Sequence, residues 1–292
     1  MLHTKLEINN LVFTYNKGAS FEKKALDNVN LKIGAGEFMG LIGCTGSGKS
    51  TLIQQFNALL KPESGNVLLD GTDIHADKSR LKEVRRKVGL VFQYPEQQLF
   101  EETVAKDVAF GPKNLGLPAE EIEERVKWAL DMVGLTPEMG EQSPFDLSGG
   151  QKRRAAIAGV LAMKPEVLVL DEPAAGLDPV GRDEILMKIR EMHKRTGITI
   201  ILVSHSMEDV ARLVERIAVI NGGRIVMDDI PAAVFSRAPE LEQMGLSAPQ
   251  AALLAQELQK RGFRLRDGLY TVEDVVAAVA QELSVNKGLN HK

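Results

Sequence analysis

Cysteine is nearly absent from this chain: Cys44 is the only one. That excludes an intrachain disulfide and fits a protein that folds in a reducing compartment. Long apolar runs are missing too. No stretch approaches the ~18 apolar residues that a membrane-spanning helix needs. The start, "MLHTKLEINN", has neither the basic nor the apolar region of a secretory signal. Any work at a membrane would therefore call for other, membrane-embedded chains. There is no basic excess, since the net charge is −4, and this argues against a general nucleic-acid binder. Internal repeats and low-complexity tracts are absent, so neither a solenoid nor a disordered linker is expected. What is present is 292 residues, 44% of them hydrophobic and 26% charged, enough for one large domain plus an appendage.

"KLEINNLVFTYN", "ALDNVNLKIGAGEFMGLIG" and "GNVLLDGTDI" alternate β-branched and polar residues between glycines, which predicts early antiparallel strands. From Val88 onward, "VGLVFQ", "EVLVLDEP", "ITIILVSHS" and "RIAVINGGRIVM" are apolar on successive positions, as in a parallel sheet buried on both faces. Between Pro95 and Pro165 strand patterns vanish and helical ones dominate, predicting a helical insertion into an α/β core. After about Ser236, two capped helices flank a short extended piece. The basic runs "DKSRLKEVRRKVG" and "KRR" at 152–154 read as solvated helix faces, the latter close enough to a Gly-Gly helix start to add positive field there.

The clearest chemistry lies in "LIGCTGSGKST". Gly43, Gly48, Lys49 and Ser50 satisfy G-x-x-x-x-G-K-[ST] between an apolar strand and a helix. Backbone N–H groups from Gly43 through Thr51, including Cys44, Thr45, Gly46 and Ser47, can curl around phosphate oxygens. Lys49 is placed to reach β- and γ-phosphates, and the Ser50 hydroxyl to ligate Mg²⁺. ATP and Mg²⁺ are the expected ligands. Cys44 within this loop is either a spacer or an oxidisable thiol.

Other strand tips add to the site. In "VLVLDEP", Asp171 can hold Mg²⁺ through water, and Glu172, expected across the pleat, can orient or deprotonate the attacking water. His205 follows another apolar strand and can meet the γ-phosphate, while Ser206 caps the next helix. Gln93 ends "VGLVFQ", where its amide oxygen can reach Mg²⁺ or water. Tyr15, in "FTYN", either stacks on adenine or packs as an ordinary strand aromatic. Converging strand ends are how open α/β sheets build sites. A second anion site reads from "SPFDLSGGQKRR", where a Gly-Gly pair at a helix start leaves bare N–H groups.

In order, "GCTGSGKST", Gln93, "LSGGQ", "VLVLDEP", "AGLDP" and "VSHS" resemble the motif set of an ATP-binding cassette (ABC) ATPase over roughly residues 3–238. The resemblance implies an α/β fold: a P-loop NTPase (RecA-like) core, an antiparallel β subdomain, a helical signature subdomain at about 96–164, and a small C-terminal helical domain over 239–292. It further implies that Leu147, Ser148, Gly149, Gly150 and Gln151 form the signature that faces ATP on a second subunit, with Asp178 along the dimer seam. The chain itself has one set of lysine and carboxylates but two anion-binding helix starts, so the second lip needs a nucleotide carried elsewhere.

"FQYPEQQLFEETVAKDVAFGPKNLG" and the signature stretch resemble, more narrowly, the ATPase subunits of energy-coupling factor (ECF) importers of vitamins or transition-metal ions, closest to the A-prime ATPase. That implies a second ATPase, a related non-identical chain or a twin, plus a transmembrane T subunit and substrate-binding S subunits, at the cytoplasmic face of the membrane. Glu101, Glu102 and Asp107 then either dock arginines of the T subunit or merely favour a helix N-terminus. The C-terminal piece either joins the ATPases or stabilises the chain. Among rivals, a DNA-gripping ABC ATPase would need long coiled coils where only about a hundred residues separate the two glycine motifs. A translation factor would carry two cassettes. Another kind of ABC transporter stays open.

Overall fold

The computed structural model describes residues 3–289. The chain opens with β1 (Thr4–Tyr15), β2 (Lys23–Gly34), β3 (Phe38–Ile42), α1 (Lys49–Phe56), β4 (Ser64–Leu69) and β5 (Thr72–Asp73). After α2 (Leu81–Lys87) and β6 (Val88–Val91) comes the helical insertion: α3 (Val104–Asn114), α4 (Ala119–Met132), α5 (Pro137–Gly140) and α6 (Gly149–Leu161). The core resumes with β7 (Val167–Asp171), α7 (Pro179–Thr196), β8 (Thr199–Val203), α8 (Met207–Leu213), β9 (Arg216–Asn221) and β10 (Arg224–Asp229). Four helices close it: α9 (Pro231–Ser236), α10 (Ala238–Gln243), α11 (Gln250–Lys260) and α12 (Val272–Leu289).

Two sheets result. One is antiparallel, in the order β2-β1-β4-β5; the other is six-stranded, in the order β10-β9-β3-β8-β7-β6. Within the larger sheet all neighbours run parallel except the β9–β10 pair. Two sequence expectations are corrected here. Phe38–Ile42 is not an early antiparallel strand; all five residues are buried and it lies mid-sheet, parallel to β8 and β9. Arg224–Asp229 is not parallel, because Gly222 and Gly223, both at positive φ, fold it back on β9 as a tight hairpin edge.

The larger sheet separates two cores. Along β7, Val167 and Val169 face the antiparallel sheet and α1, whereas Leu168 and Leu170 face the helical insertion and α7. Both faces being covered explains why these strands are apolar at every position. Lys5 of β1 ties the sheets by pairing with Asp70 at 2.8 Å and with Glu166, the residue before β7. In the C-terminal part, Ala238, Leu241, Leu246, Ala248 and Ala252 join the main core, while Ala251, Ala255, Leu269 and Val275 form a small cluster of their own. Thr271 accepts the Asp274 N–H and caps α12; Pro249 begins α11 without a side-chain cap. No helix among the described residues is long and apolar enough to cross a membrane.

Candidate functional site

The carboxyl ends of β3, β7 and β8 open on one crevice, because parallel strands deliver their following loops to the same sheet edge. From β3 the chain enters the 43–48 loop. A side chain at Gly43 would sit 2.3 Å from the Ile220 carbonyl, and Gly48, at φ +112°, would press one 2.6 Å from the Ala25 carbonyl. Gly48 starts α1 with no side-chain cap, so the first-turn N–H groups stay available to an anion. Lys49 Nζ donates to the Gly43 carbonyl at 2.6 Å and the Cys44 carbonyl at 3.0 Å, curling over the loop. Ser50 is exposed, whereas the Ser47 hydroxyl is buried without a partner. Tyr15 lies beside the loop, its hydroxyl 3.2 Å from Thr51 Oγ1 and its ring edge-on to Phe13. Tyr15 and Thr51, together with Lys23, Ala25, Gly46, Gly48, Lys49 and Ser50, line one cleft.

From β7 come Asp171 and Glu172. The pleat does not place Glu172, as the sequence led one to expect: the strand ends at Asp171, and Glu172 takes a left-handed backbone, φ +52°. Its N–H still bonds the Val203 carbonyl at 2.9 Å, which holds the bend against β8. Burial, then the Asp171 charge, push the Glu172 carboxyl up to about 7 against the pull of Lys49. Burial also raises Asp171 and lowers Lys49. His205, after β8, is half-exposed, with Nε2 3.4 Å from Glu172 Oε1 but not hydrogen-bonded to it. Burial and Lys49 hold the His205 imidazole below its ordinary value, so it is neutral at pH 7. Ser206 caps α8 through the Asp209 N–H at 3.2 Å. A cleft of about 340 Å³ opens against Glu172, His205, Ser206, Asp209 and Arg182. Gln93 is exposed two residues past β6.

The Gly-Gly helix start is a different construction. Ser148 caps α6 by accepting the Gln151 N–H at 3.3 Å, and Gln151 Oε1 accepts the Ser148 N–H at 2.8 Å, a reciprocal capping box. Gln151 therefore serves the helix, and Leu147 is buried in the core, leaving Gly149 and Gly150 to present N–H groups. Asp178 caps α7, its Oδ1 accepting the Gly181 N–H at 2.9 Å. Glu101 is partly and Glu102 fully exposed, the latter paired with Lys106. Asp107 is buried; it accepts the Phe100 and Glu101 N–H groups at 3.2 and 3.0 Å, and shapes that turn.

The reading of 152–154 as a solvated face is overturned for both arginines. Arg153 is 1% exposed and Arg154 8%. Each is bound by a carboxylate distant in sequence, Glu96 for Arg153 and Glu184 for Arg154, which a local charge pattern cannot reveal. Arg182 also went unforeseen. It donates to Asp209 Oδ1 at 2.7 Å and to the Ser206 hydroxyl, bracing the loop that carries His205.

A sequence-family profile described as ABC transporter matches residues 26–175. The chain is 56% identical over 269 residues to the energy-coupling factor transporter ATP-binding protein EcfA2 of Clostridium tetani, covering 92% of this chain and 93% of that one. It is 53% identical over 282 residues to the EcfA2 protein of Clostridium perfringens, covering 96% and 99%. Among solved structures it resembles cbiO1 from Clostridium perfringens, described as part of the ABC transporter complex cbiONQ. The TM-score is 0.75 at 39% identity, covering 87% of this chain and 99% of that one. It also resembles the ATP-binding cassette MJ0796 in a dimeric, post-hydrolysis state with ADP and Pi, with a TM-score of 0.68 at 31% identity, covering 77% and 98%.

Proposed function

The chain belongs to the ABC transporter ATPases, among the ATP-binding subunits of energy-coupling factor importers, and from that membership we propose how its residues share the work. The protein binds and hydrolyses ATP to energise an importer. In our reading the loop from Gly43 to Thr51, with Lys49, holds the β- and γ-phosphates, and Tyr15 stacks on adenine. Glu172 takes a proton from the attacking water, and neutral His205 contacts the γ-phosphate. The observation that carries this is the buried Glu172 carboxyl, poised near 7 at a strand tip beside Lys49.

Mg²⁺ fits the residues present. Among the described residues no three His, Cys, Asp or Glu form a metal cage, and Mg²⁺ needs none, because it takes one or two protein oxygens and fills its shell with water and phosphate. Ser50, Asp171 and Gln93 supply oxygen donors of that kind. When bound, the ion neutralises charge on the transferring phosphoryl group.

The Ser148–Gly150 lip, with Leu147 and Gln151 bracing it, receives the γ-phosphate of a second ATPase, a related chain or a twin, and Asp178 lies along the seam. The segment after Gln93 docks the T subunit: Phe100 and Phe110 are exposed and packed edge-to-face at 5.1 Å beside Glu101 and Glu102, an apolar patch rimmed by acid. S subunits choose the cargo, and the assembly sits at the cytoplasmic face of the membrane. We divide the chain into an ATP-binding domain over 3–238, with its helical subdomain at about 96–164, and a C-terminal domain over 239–292 that joins the ATPases. Residues 290–292 lie outside the described residues. Exposed Val272 and Val276 on α12 support that joining role.

Glu172→Gln in the assembled importer tests the chemistry. Hydrolysis should fall by roughly 10²–10⁴-fold while ATP binding persists. Normal turnover in that variant would reject Glu172 as the base.

A further inference from the structure

Arg153 heads the wholly buried side chains by size, at 1% exposure. Its guanidinium meets two separate pieces of chain. Nε and Nη2 donate to Glu96 Oε2 at 2.9 Å and Oε1 at 2.6 Å, a bidentate pair. Nη1 donates to the Ala175 carbonyl at 2.5 Å and the Pro173 carbonyl at 3.3 Å. The Tyr94 ring lies 5.5 Å from the guanidinium carbon. Arg153 itself stands five residues along from the Ser148 cap of α6.

Each piece matters by what precedes it. Tyr94 and Glu96 directly follow Gln93, and Pro173 and Ala175 directly follow Glu172. Each piece bends through a left-handed, non-glycine residue, Tyr94 at φ +56°, three residues past β6, and Glu172 at φ +52°, directly after β7. Such backbones persist only where the surroundings hold them. Arg153 does this for both, gripping the chain just past each bend. An apolar side chain of similar size would fill the same space without the desolvation cost of a buried cation, so packing alone gives no reason for arginine here.

We propose that Arg153 is a positioning residue for hydrolysis. It locks the loop carrying Glu172 and the signature helix to the segment 94–98, so that a shift of that segment is felt at the base and at the lip together. The proposal rests on Glu172 as the base, which Glu172→Gln tests separately.

The experiment compares Arg153→Met, Glu96→Gln, their double variant and Arg153→Lys in the assembled importer, with rates expressed per ATP-binding site so that misfolded chains do not count. Arg153→Met and Glu96→Gln should each lower kcat roughly ten- to a hundredfold, the scale of a slightly misplaced catalytic group. ATP affinity without Mg²⁺ should stay within about twofold, because uniform binding is untouched. The double variant should be no slower than the slower single one, since both break one link. Arg153→Lys keeps the charge but not the fork, and should fall between wild type and Arg153→Met. Should Arg153→Met fail to fold, Glu96→Gln, cut from the more exposed end of the pair, carries the test. Wild-type kcat in Glu96→Gln and any folded Arg153→Met, or losses that multiply in the double variant, would overturn the proposal. If Glu172→Gln is slow while these variants are normal, only the Arg153 link falls. If Glu172→Gln is itself normal, the base assignment falls first.

Discussion

The chain has two glycine-bearing helix starts suited to anions, and apart from backbone N–H groups they share almost nothing. At α1 the cap is a bare left-handed glycine, and around it stand Lys49, Asp171, Glu172 and His205, each displaced from its ordinary pKa by burial. At α6 the cap is a closed Ser148–Gln151 box that leaves Gly149 and Gly150 at an exposed corner, with the nearest arginines turned inward. In the reading proposed above, one end serves chemistry and the other only receives charge. Lys152 and Asp146 flank that corner in sequence, but Lys49, Asp171 and Glu172 gather only at α1, so in that reading the corner at α6 serves a nucleotide carried by another chain.

That contrast breaks most sharply on a pair of substitutions. Lys49→Ala should abolish ATP binding outright, as removing the cation from a phosphate cradle does. Gly150→Asp should leave ATP binding by the single chain intact and cut hydrolysis by roughly 10²–10³-fold, the usual loss when an anion-stabilising contact is spoiled. A side chain at Gly150 has space, its nearest neighbour being Gly181 Cα at 3.8 Å, so the effect reports on charge. Equilibrium binding of ATP alongside steady-state turnover separates the two ends. If Gly150→Asp weakened binding as Lys49→Ala does, both ends would serve the same nucleotide.

A smaller effect sharpens the comparison through pH. With the Glu172 carboxyl at about 7, the base is mostly protonated in mild acid. Hydrolysis should rise about tenfold per pH unit below 7 and level off above it. Gly150→Asp should lower the plateau without moving its midpoint, since an exposed aspartate is already ionised across this range. A pH–rate profile that is flat between 5.5 and 7, roughly the span of one carboxyl titration, would remove Glu172 as the titrating group.

Contiguous stretches were legible in sequence, and so were the ends of buried strands. The 43–51 loop, the Asp171 strand end and the Gly-Gly helix start are all local, and each can be read from residue order. What escaped was set by distant partners. Arg153 reads as solvated until Glu96, 57 residues earlier, folds over it. Asp107 reads as a surface charge until it turns inward to cap the Phe100 and Glu101 amides. Phe38–Ile42 sits among antiparallel strands in sequence yet pairs with β8 and β9, far downstream. The Gly222–Gly223 hairpin was the exception: its signal was local, and the apolar run around it masked the turn.

The carboxyl proposed as the base should also cost stability. Glu172 moves from 4.5 when unfolded to about 7 when folded, so the folded state holds its proton more tightly. This contribution is whole below pH 4.5 and is lost as pH rises toward 7. Glu172→Gln removes the titration altogether. The variant should therefore melt about 2–4 °C above wild type at pH 8, the scale of a kcal/mol in a chain this long. By pH 4.5 the advantage should have disappeared. Ser148→Ala, at the other helix start, should instead lower the melting temperature by a similar amount at every pH, because a lost cap of about 1 kcal/mol involves no proton. Melting curves at the two pH values decide it: a Glu172→Gln shift that does not change with pH would mean that this carboxyl is no more buried, in its energetics, than the exposed corner it is compared with.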